Sequence, residues 1–259
     1  MVFELITKIS MKVEISRYQG FVDAIKRNLE ESPYHEYVAK VLEILYGKTV
    51  YLWGGAVRDP IVRELYGLDF ETRDFDLTVD DSEERINLRG LLKGLRGIHF
   101  SRFGTPKWKP KKGLEIDVGP FSAGTIFKRE NLPINLETTL ISVDVTTSAI
   151  AYGLADETIY SVKALDDMRK KEVNVLNPYG EDPSALMSRL VLHSDHLSFE
   201  IGEEGKAYIS EKYSPVLDDD IRRFLEYKGV KELFPFVVKR LRLIQEETHK
   251  TDLGGSYEK

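Results

Sequence analysis

Asp74 and Asp76 stand two residues apart in "RDFDLTV" (73–79), and a glycine pair, Gly54-Gly55, precedes them in "LWGGAVRDPIVRELYG" (52–67). Side chains alternate along a strand, so both carboxylates would share one face while Phe75 and Leu77 turn to a core. Two like charges on one face repel, and a divalent cation with hard oxygen ligands removes that cost. The glycine pair leaves main-chain N–H groups uncovered at a helix start, where a phosphate is held well. Arg58 adds a charge-assisted donor beside it, followed directly by Asp59. Together these residues describe a site for a metal-bound triphosphate.

A third carboxylate strengthens that reading. In "LEIDV" (114–118), Leu114, Ile116 and Val118 share one face and leave Glu115 and Asp117 on the other. If this strand lies beside 74–79, Asp117 reaches the same ions. Two cations roughly 4 Å apart would then activate an attacking hydroxyl and neutralise a leaving pyrophosphate. Glu115 reads as an exposed strand face. Taken singly, each motif has a plainer meaning: a glycine pair is a turn, and Asp-x-Asp is a solvated strand end.

These residues need a scaffold, and the chain has the means to build one. It has 259 residues, 42% hydrophobic and 31% charged, enough for a sizeable core in one large domain or two small ones. Residues 17–31 and 34–47 carry helical periodicity, with Gly47 as a C-terminal stop. "KTVYLW" (48–53) reads as a strand covered on both faces, followed by a helix with Pro60 in its first turn and Gly67 at its end. Asp81 or Ser82 is expected to cap a helix over "EERINLRGLLKGL". "HFSRFGTPKW" (99–108) and "LEIDV" read as strands around a Lys-rich turn. Residues 138–152 are ambiguous, with a helix expected over the second half. "SVKALDDMRKK" reads as helix and "EVNVL" as strand. From Glu181 the pattern is wholly helical, over 182–197, 203–213, 218–228 and 230–247, and the tail "TDLGGSYEK" is expected to fray. The implied division is a helical extension over 1–47, an α/β head over 48–180, a helical neck and short body over 181–250, and a tail over 251–259.

Composition limits the function classes. A net charge of −6 excludes a surface given over wholly to nucleic acid, so any polyanion contact must be local. Cysteine is absent, which excludes disulfides and thiolate metal sites and fits the cytoplasm. Apolar runs are too short to span a bilayer, and no signal-peptide pattern opens the chain; no membrane partner is expected.

The motifs also resemble a known family. "GGAVRD", a helix, Gly67 and "RDFDLTV" look like the signature of the class II tRNA nucleotidyltransferases (CCA-adding enzymes) and bacterial poly(A) polymerases, within the DNA polymerase β-like nucleotidyltransferase superfamily. "RFGT" (102–105), "IDVGPF" (116–121), "SVDVTTSAIAY" (142–152), "ALDDM" (164–168) and "EDPSALMSRL" (181–190) are similar to later family motifs, in order. The resemblance implies an α/β (α+β) fold with a mixed, five-stranded-type sheet. It also implies transfer of a nucleoside monophosphate from an NTP, ATP or CTP, to an acceptor hydroxyl, most simply an RNA 3′ end of tRNA type. On that basis Asp74, Asp76 and Asp117 would hold two Mg²⁺ ions. Gly54, Gly55, Arg58 and Asp59 would meet the triphosphate, Asp144 the ribose, and Asp182 and Arg189 the base. The chain departs from the family pattern in Ser142-Val143, where the family has Arg-Arg, and in Ala185, where it has arginine. Alternative acceptors are a protein or a small molecule, a non-catalytic nucleotide-binding module is a third reading, and homo-oligomerisation is open.

Some other residues invite chemistry more weakly. "KWKPKK" (107–112) could touch RNA, with Trp108 stacking a base, or form a solvated hairpin tip. His193 and His196 share a helix face but suggest structure before metal. Tyr208, Tyr213, Phe224, Phe234 and Phe236 read as helix-packing residues. Lys239, Arg240 and Arg242 form a basic edge whose default is solvation.

Overall fold

The computed structural model describes residues 12–70, 72, 74–101, 105–124, 132–179 and 182–254, without side chains for 250–254. Arg102, Phe103 and Gly104 of "RFGT", Glu181, and the tail beyond 254 lie outside the described residues. The chain divides into two compact units: Met1–Ser142 with Ser148–Leu165, and Val143–Thr147 with Asp166–Lys259.

The first unit is built on an eight-stranded mixed sheet. Its strands are β1 (Glu14–Ser16), β2 (Val50–Trp53), β3 (Asp74–Val79), β4 (Ile98–Phe100), β5 (Pro106–Trp108), β6 (Glu115–Pro120), β7 (Ile150–Gly153) and β8 (Thr158–Ser161). Their order is β1-β8-β7-β2-β3-β6-β5-β4. Every pairing is antiparallel except β3–β6, which is parallel. Eight strands exceed the five expected, because β1 from the N-terminal segment extends one edge and the short β5 and β4 extend the other.

Alternation sets the faces. Phe75, Leu77 and Val79 of β3 are buried, as are Ile116 and Val118 of β6, while Asp74 and Asp76 are exposed. The unit's helices are α1 (Gln19–Glu30), α2 (His35–Ile44), α3 (Gly55–Tyr66), the short α4 (Leu88–Leu92) and α5 (Leu136–Ile141). Of these, α3 and α4 pack directly on the sheet, while α2 packs on α1 and α4. Helix α1 packs on α3, and Phe21, Val22, Ile25, Val57, Ile61 and Val62 are all buried. Gly67 ends α3 in the left-handed conformation at φ 69°, as its sequence position suggested.

Several local expectations are corrected. Pro60 is the sixth residue of α3 rather than part of its first turn, because β2 ends at Trp53 and the helix begins at once at Gly55. Asp81 does not cap a helix. It is buried and accepts bonds from the Ser122 N–H and hydroxyl and from Arg85, tying the end of β3 to the turn after β6. Helix α4 starts later, with the Asn87 side chain accepting from the Gly90 N–H. In 138–152 the helix occupies the first half, where Asn135 caps α5 through the Thr138 N–H at 2.8 Å, and the second half ends in β7. The β7 residues Ile150, Ala151 and Tyr152 are all buried, and central pairing between β2 and β8 overrides their helical spacing.

The second unit is mainly helical. It contains most of α6 (Ala164–Lys170), a small parallel pair β9 (Glu172–Val173) and β10 (Glu200–Ile201), and the helices α7 (Pro183–Leu197), α8 (Glu203–Lys212), α9 (Asp218–Tyr227) and α10 (Phe234–Gly254). Leu186, Met187, Leu190, Ile209, Ile221, Leu225, Val237 and Leu241 form its core. Tyr208 and Tyr213 are buried as expected, whereas Phe236 is exposed. Among the described residues no helix is long and apolar enough to cross a membrane.

Candidate active site

The edge of the site is a turn that only glycine adopts easily. After β2, Gly54 takes φ 60° and ψ −130°, and its N–H donates to the Ile150 carbonyl at 3.3 Å. Its own carbonyl accepts from the Val57 and Arg58 amides at 3.1 and 2.8 Å. No side chain caps α3, so the amides of Gly55 and Ala56 open the helix without an intrahelical acceptor. A Cβ placed on Gly54 would sit 3.6 Å from Oδ2 of Asp76, which puts the turn next to the strand carboxylate. Gly55 faces the Arg58 guanidinium and the Asp59 carboxylate at 3.5 Å from its own notional Cβ. Arg58 and Asp59 pair with each other at 2.7 Å and are both buried. Their pairing fixes the first turns of α3 directly behind those amides.

Strand register brings the acidic residues together. Trp53 pairs with Asp76 across β2–β3, and Asp76 pairs with Asp117, and Asp74 with Glu115, across the parallel β3–β6 ladder. Paired residues on neighbouring strands lie about 4.8 Å apart and point to the same face. Asp117 is therefore no remote surface residue; it is the cross-strand partner of Asp76.

Lys107, which the sequence marked only as the start of the basic run "KWKPKK", completes this face. Lys107 pairs with Asp117 in the antiparallel β5–β6 ladder, and its ammonium lies 2.5 Å from Oδ2 of Asp117 and 2.6 Å from Oε1 of Glu115. Lys109 contacts the other Glu115 oxygen. Burial would raise the Glu115 carboxyl, but the two ammonium groups outweigh it and hold the pKa near about 2. For Asp117 burial dominates, helped by the nearby charges of Glu115 and Asp74, and the pKa lies above the usual carboxylate value despite Lys107. Glu115 is thus a paired residue rather than a bare strand face.

The donor set fits a divalent cation in its chemistry. It consists of carboxylates on one face, and Oδ1 of Asp117 is buried without a hydrogen-bond partner. Among the described residues no group of three or more such side chains is already drawn into metal-ligating geometry.

The segment "KWKPKK" divides differently from its sequence reading. Trp108 is buried, its indole donates to the Arg96 carbonyl at 2.9 Å, and its ring meets Tyr37 edge-on at 5.8 Å. It is a core residue and cannot stack a base.

Within the second unit, the buried Asp144 accepts from Arg189 through Oδ2 at 2.5 Å and from the Val145 N–H through Oδ1 at 3.0 Å. Its carbonyl accepts from the Leu176 and Asn177 amides. Arg189 also lies 5.8 Å over the Phe224 ring. Asp182 caps α7 by accepting from the Ser184 N–H at 2.9 Å. A second group the sequence did not reveal is Asp167, Asn174 and Thr146, a buried hydrogen-bonded set in which burial raises the Asp167 carboxyl. His193 is hydrogen-bonded to Thr147 at 3.0 Å, and Arg242 to Asp218 and Tyr213.

No family model and no curated protein matches this sequence. Solved structures do. The chain is similar to a tRNA-processing enzyme in an apo form, with a TM-score of 0.56, 23% identity, and 82% of this chain covering 56% of the other. A CCA-adding enzyme solved with CTP gives a TM-score of 0.58 at 20% identity, over 87% of this chain and 55% of the other. A tRNA nucleotidyltransferase solved with a primer tRNA and an incoming ATP analogue gives 0.55 at 23% identity, over 81% and 60%. The chain therefore shares the fold of these enzymes and spans a little over half of their length.

Proposed function

We propose that this chain is a metal-dependent nucleotidyltransferase that moves a nucleoside monophosphate from an NTP to an acceptor hydroxyl, the acceptor being a tRNA-like RNA 3′ end. The observation that carries the reading is the parallel register of Asp76 against Asp117, beside a glycine turn that opens a helix without a side-chain cap. The solved structures of the same fold, with CTP and with tRNA and an ATP analogue, support the choice of NTP and acceptor.

In this reading Asp74, Asp76 and Asp117 hold two Mg²⁺ ions, which when bound lower the pKa of the attacking hydroxyl and neutralise the leaving pyrophosphate. The Gly55 and Ala56 amides receive triphosphate oxygens, the charge being matched to the positive end of α3. The buried Arg58–Asp59 pair keeps that helix start in place. No protein nucleophile is required, because the acceptor brings its own hydroxyl. The roles of Asp144 toward the ribose, and of Asp182 and Arg189 toward the base, rest on the sequence resemblance alone. A cytoplasmic setting is supported by the cysteine-free composition.

The test is incubation with α-labelled CTP or ATP, Mg²⁺ and tRNA stripped of its 3′ terminal nucleotides. Label on the RNA, lost in Asp74→Ala and Asp76→Ala, is expected. Label on protein in a lysate but never on RNA would overturn the acceptor, and no transfer above the variant controls would overturn the activity.

A further inference from the structure

The face of β6 carrying Glu115 and Asp117 is already partly neutralised by the chain itself. Lys107 holds Oε1 of Glu115 and Oδ2 of Asp117, and Lys109 holds the second Glu115 oxygen. Three of the four carboxylate oxygens on this strand face are therefore met by ammonium groups. The fourth, Oδ1 of Asp117, is buried and has no hydrogen-bond partner. A carboxylate oxygen left in that state costs free energy until a cation or donor meets it.

We propose that Lys107 is a positioning residue and built-in counter-ion: it clamps Asp117 by Oδ2, offers Oδ1 alone to a divalent ion, and keeps Glu115 away from that ion. The inference rests on the metal-dependent reading of the site and adds to it how the third carboxylate is set. Ladder geometry makes the clamp short and stiff, since Lys107 and Asp117 are cross-strand partners rather than chance neighbours. One-oxygen ligation suits Mg²⁺, which demands near-octahedral geometry and keeps several waters; two-oxygen chelation suits larger, more tolerant ions. The ammonium also repels an incoming dication. Lys107 therefore trades affinity for geometry: without it a cation should bind more tightly and be placed less well.

Mn²⁺ serves as the probe, its binding to the intact chain followed by electron paramagnetic resonance of the free ion, alongside kcat for nucleotide transfer. Lys107→Met should lower the Mn²⁺ dissociation constant about tenfold, from the lost repulsion. Its kcat should fall roughly ten- to a hundredfold, as for other residues that orient a metal ligand. Lys107→Arg, which keeps the charge, should retain the unmodified affinity and recover part of kcat. Adding Glu115→Gln to Lys107→Met should return the affinity toward the starting value, because the released competitor is gone. Unchanged or weaker Mn²⁺ binding by Lys107→Met overturns the proposal, and so does tighter binding with kcat intact. If the unmodified chain and Asp76→Asn bind Mn²⁺ equally poorly, the metal-dependent reading itself fails, a result distinguishable from any behaviour of Lys107.

Discussion

Replacing Gly54 by alanine separates the turn's chemical role from its structural one. The added Cβ would lie 3.6 Å from Oδ2 of Asp76, an ordinary van der Waals distance, so no collision contributes. The cost comes from the backbone, since φ 60° with ψ −130° is a conformation that residues with a Cβ rarely adopt. Holding it costs about 1–3 kcal/mol, or a fall in Tm of roughly 2–12 °C for a chain of this size. If the turn relaxes to escape that strain, the Gly55 and Ala56 amides are displaced from their place at the start of α3. Gly67→Ala is the matched control. Gly67 is also left-handed, at φ 69° and ψ 14°, with nothing within 4 Å of a notional Cβ, but it lies at the far end of α3. The control should lose about 1 kcal/mol for the same kind of reason. Calorimetric titration with a non-hydrolysable NTP and Mg²⁺, read beside thermal melts, distinguishes the two. Gly54→Ala should lose at least about tenfold in nucleotide affinity (~1.4 kcal/mol), and Gly67→Ala should keep it. Equal affinity in both variants, or equal loss, would refute the assignment of triphosphate binding to this turn.

Three further outcomes follow from single side chains. Asp117 binds its proton more readily when folded than when unfolded, so its ionised form costs stability above the folded pKa, and the cost disappears as pH falls below the unfolded value. Asp117→Asn should therefore remove this contribution to the pH dependence of Tm on the acid side, while at neutral pH it also strips Lys107 of its ion-pair partner; an acid-side Tm profile identical to that of the unmodified chain would contradict this. Glu115 works in the opposite sense, contributing stability that is lost only as pH falls toward about 2. Asp182→Ala removes the cap on the Ser184 N–H and should cost about 1 kcal/mol, with Asp182→Asn retaining most of it; no change in the alanine melt would refute the capping role.

The sequence made the two acidic strands legible because their apolar partners are so regular. Phe75, Leu77 and Val79, and Ile116 and Val118, had to face a core, which left the carboxylates on the other side. Register was not legible: nothing local states that Asp76 pairs with Asp117 instead of a residue two places away. The pairing of Lys107 with Asp117 was hidden for the same reason, although its basic run stood out. Its strand is only three residues long, and its role exists only through a cross-strand neighbour. Trp108 misled because an aromatic within a basic run resembles a stacking platform, whereas β5 turns it inward. The region 138–152 was misjudged where sheet neighbours overruled local spacing. The Asp144–Arg189 pair joins residues 45 apart in sequence, beyond the reach of any local pattern.

Anomalous diffraction from crystals grown with Mn²⁺ and a non-hydrolysable NTP would locate the cation directly. A peak between Asp76 and Asp117, with the triphosphate lying against the Gly55 and Ala56 amides, is the predicted result. Manganese and nucleotide bound elsewhere, with those two carboxylates bare, would contradict it.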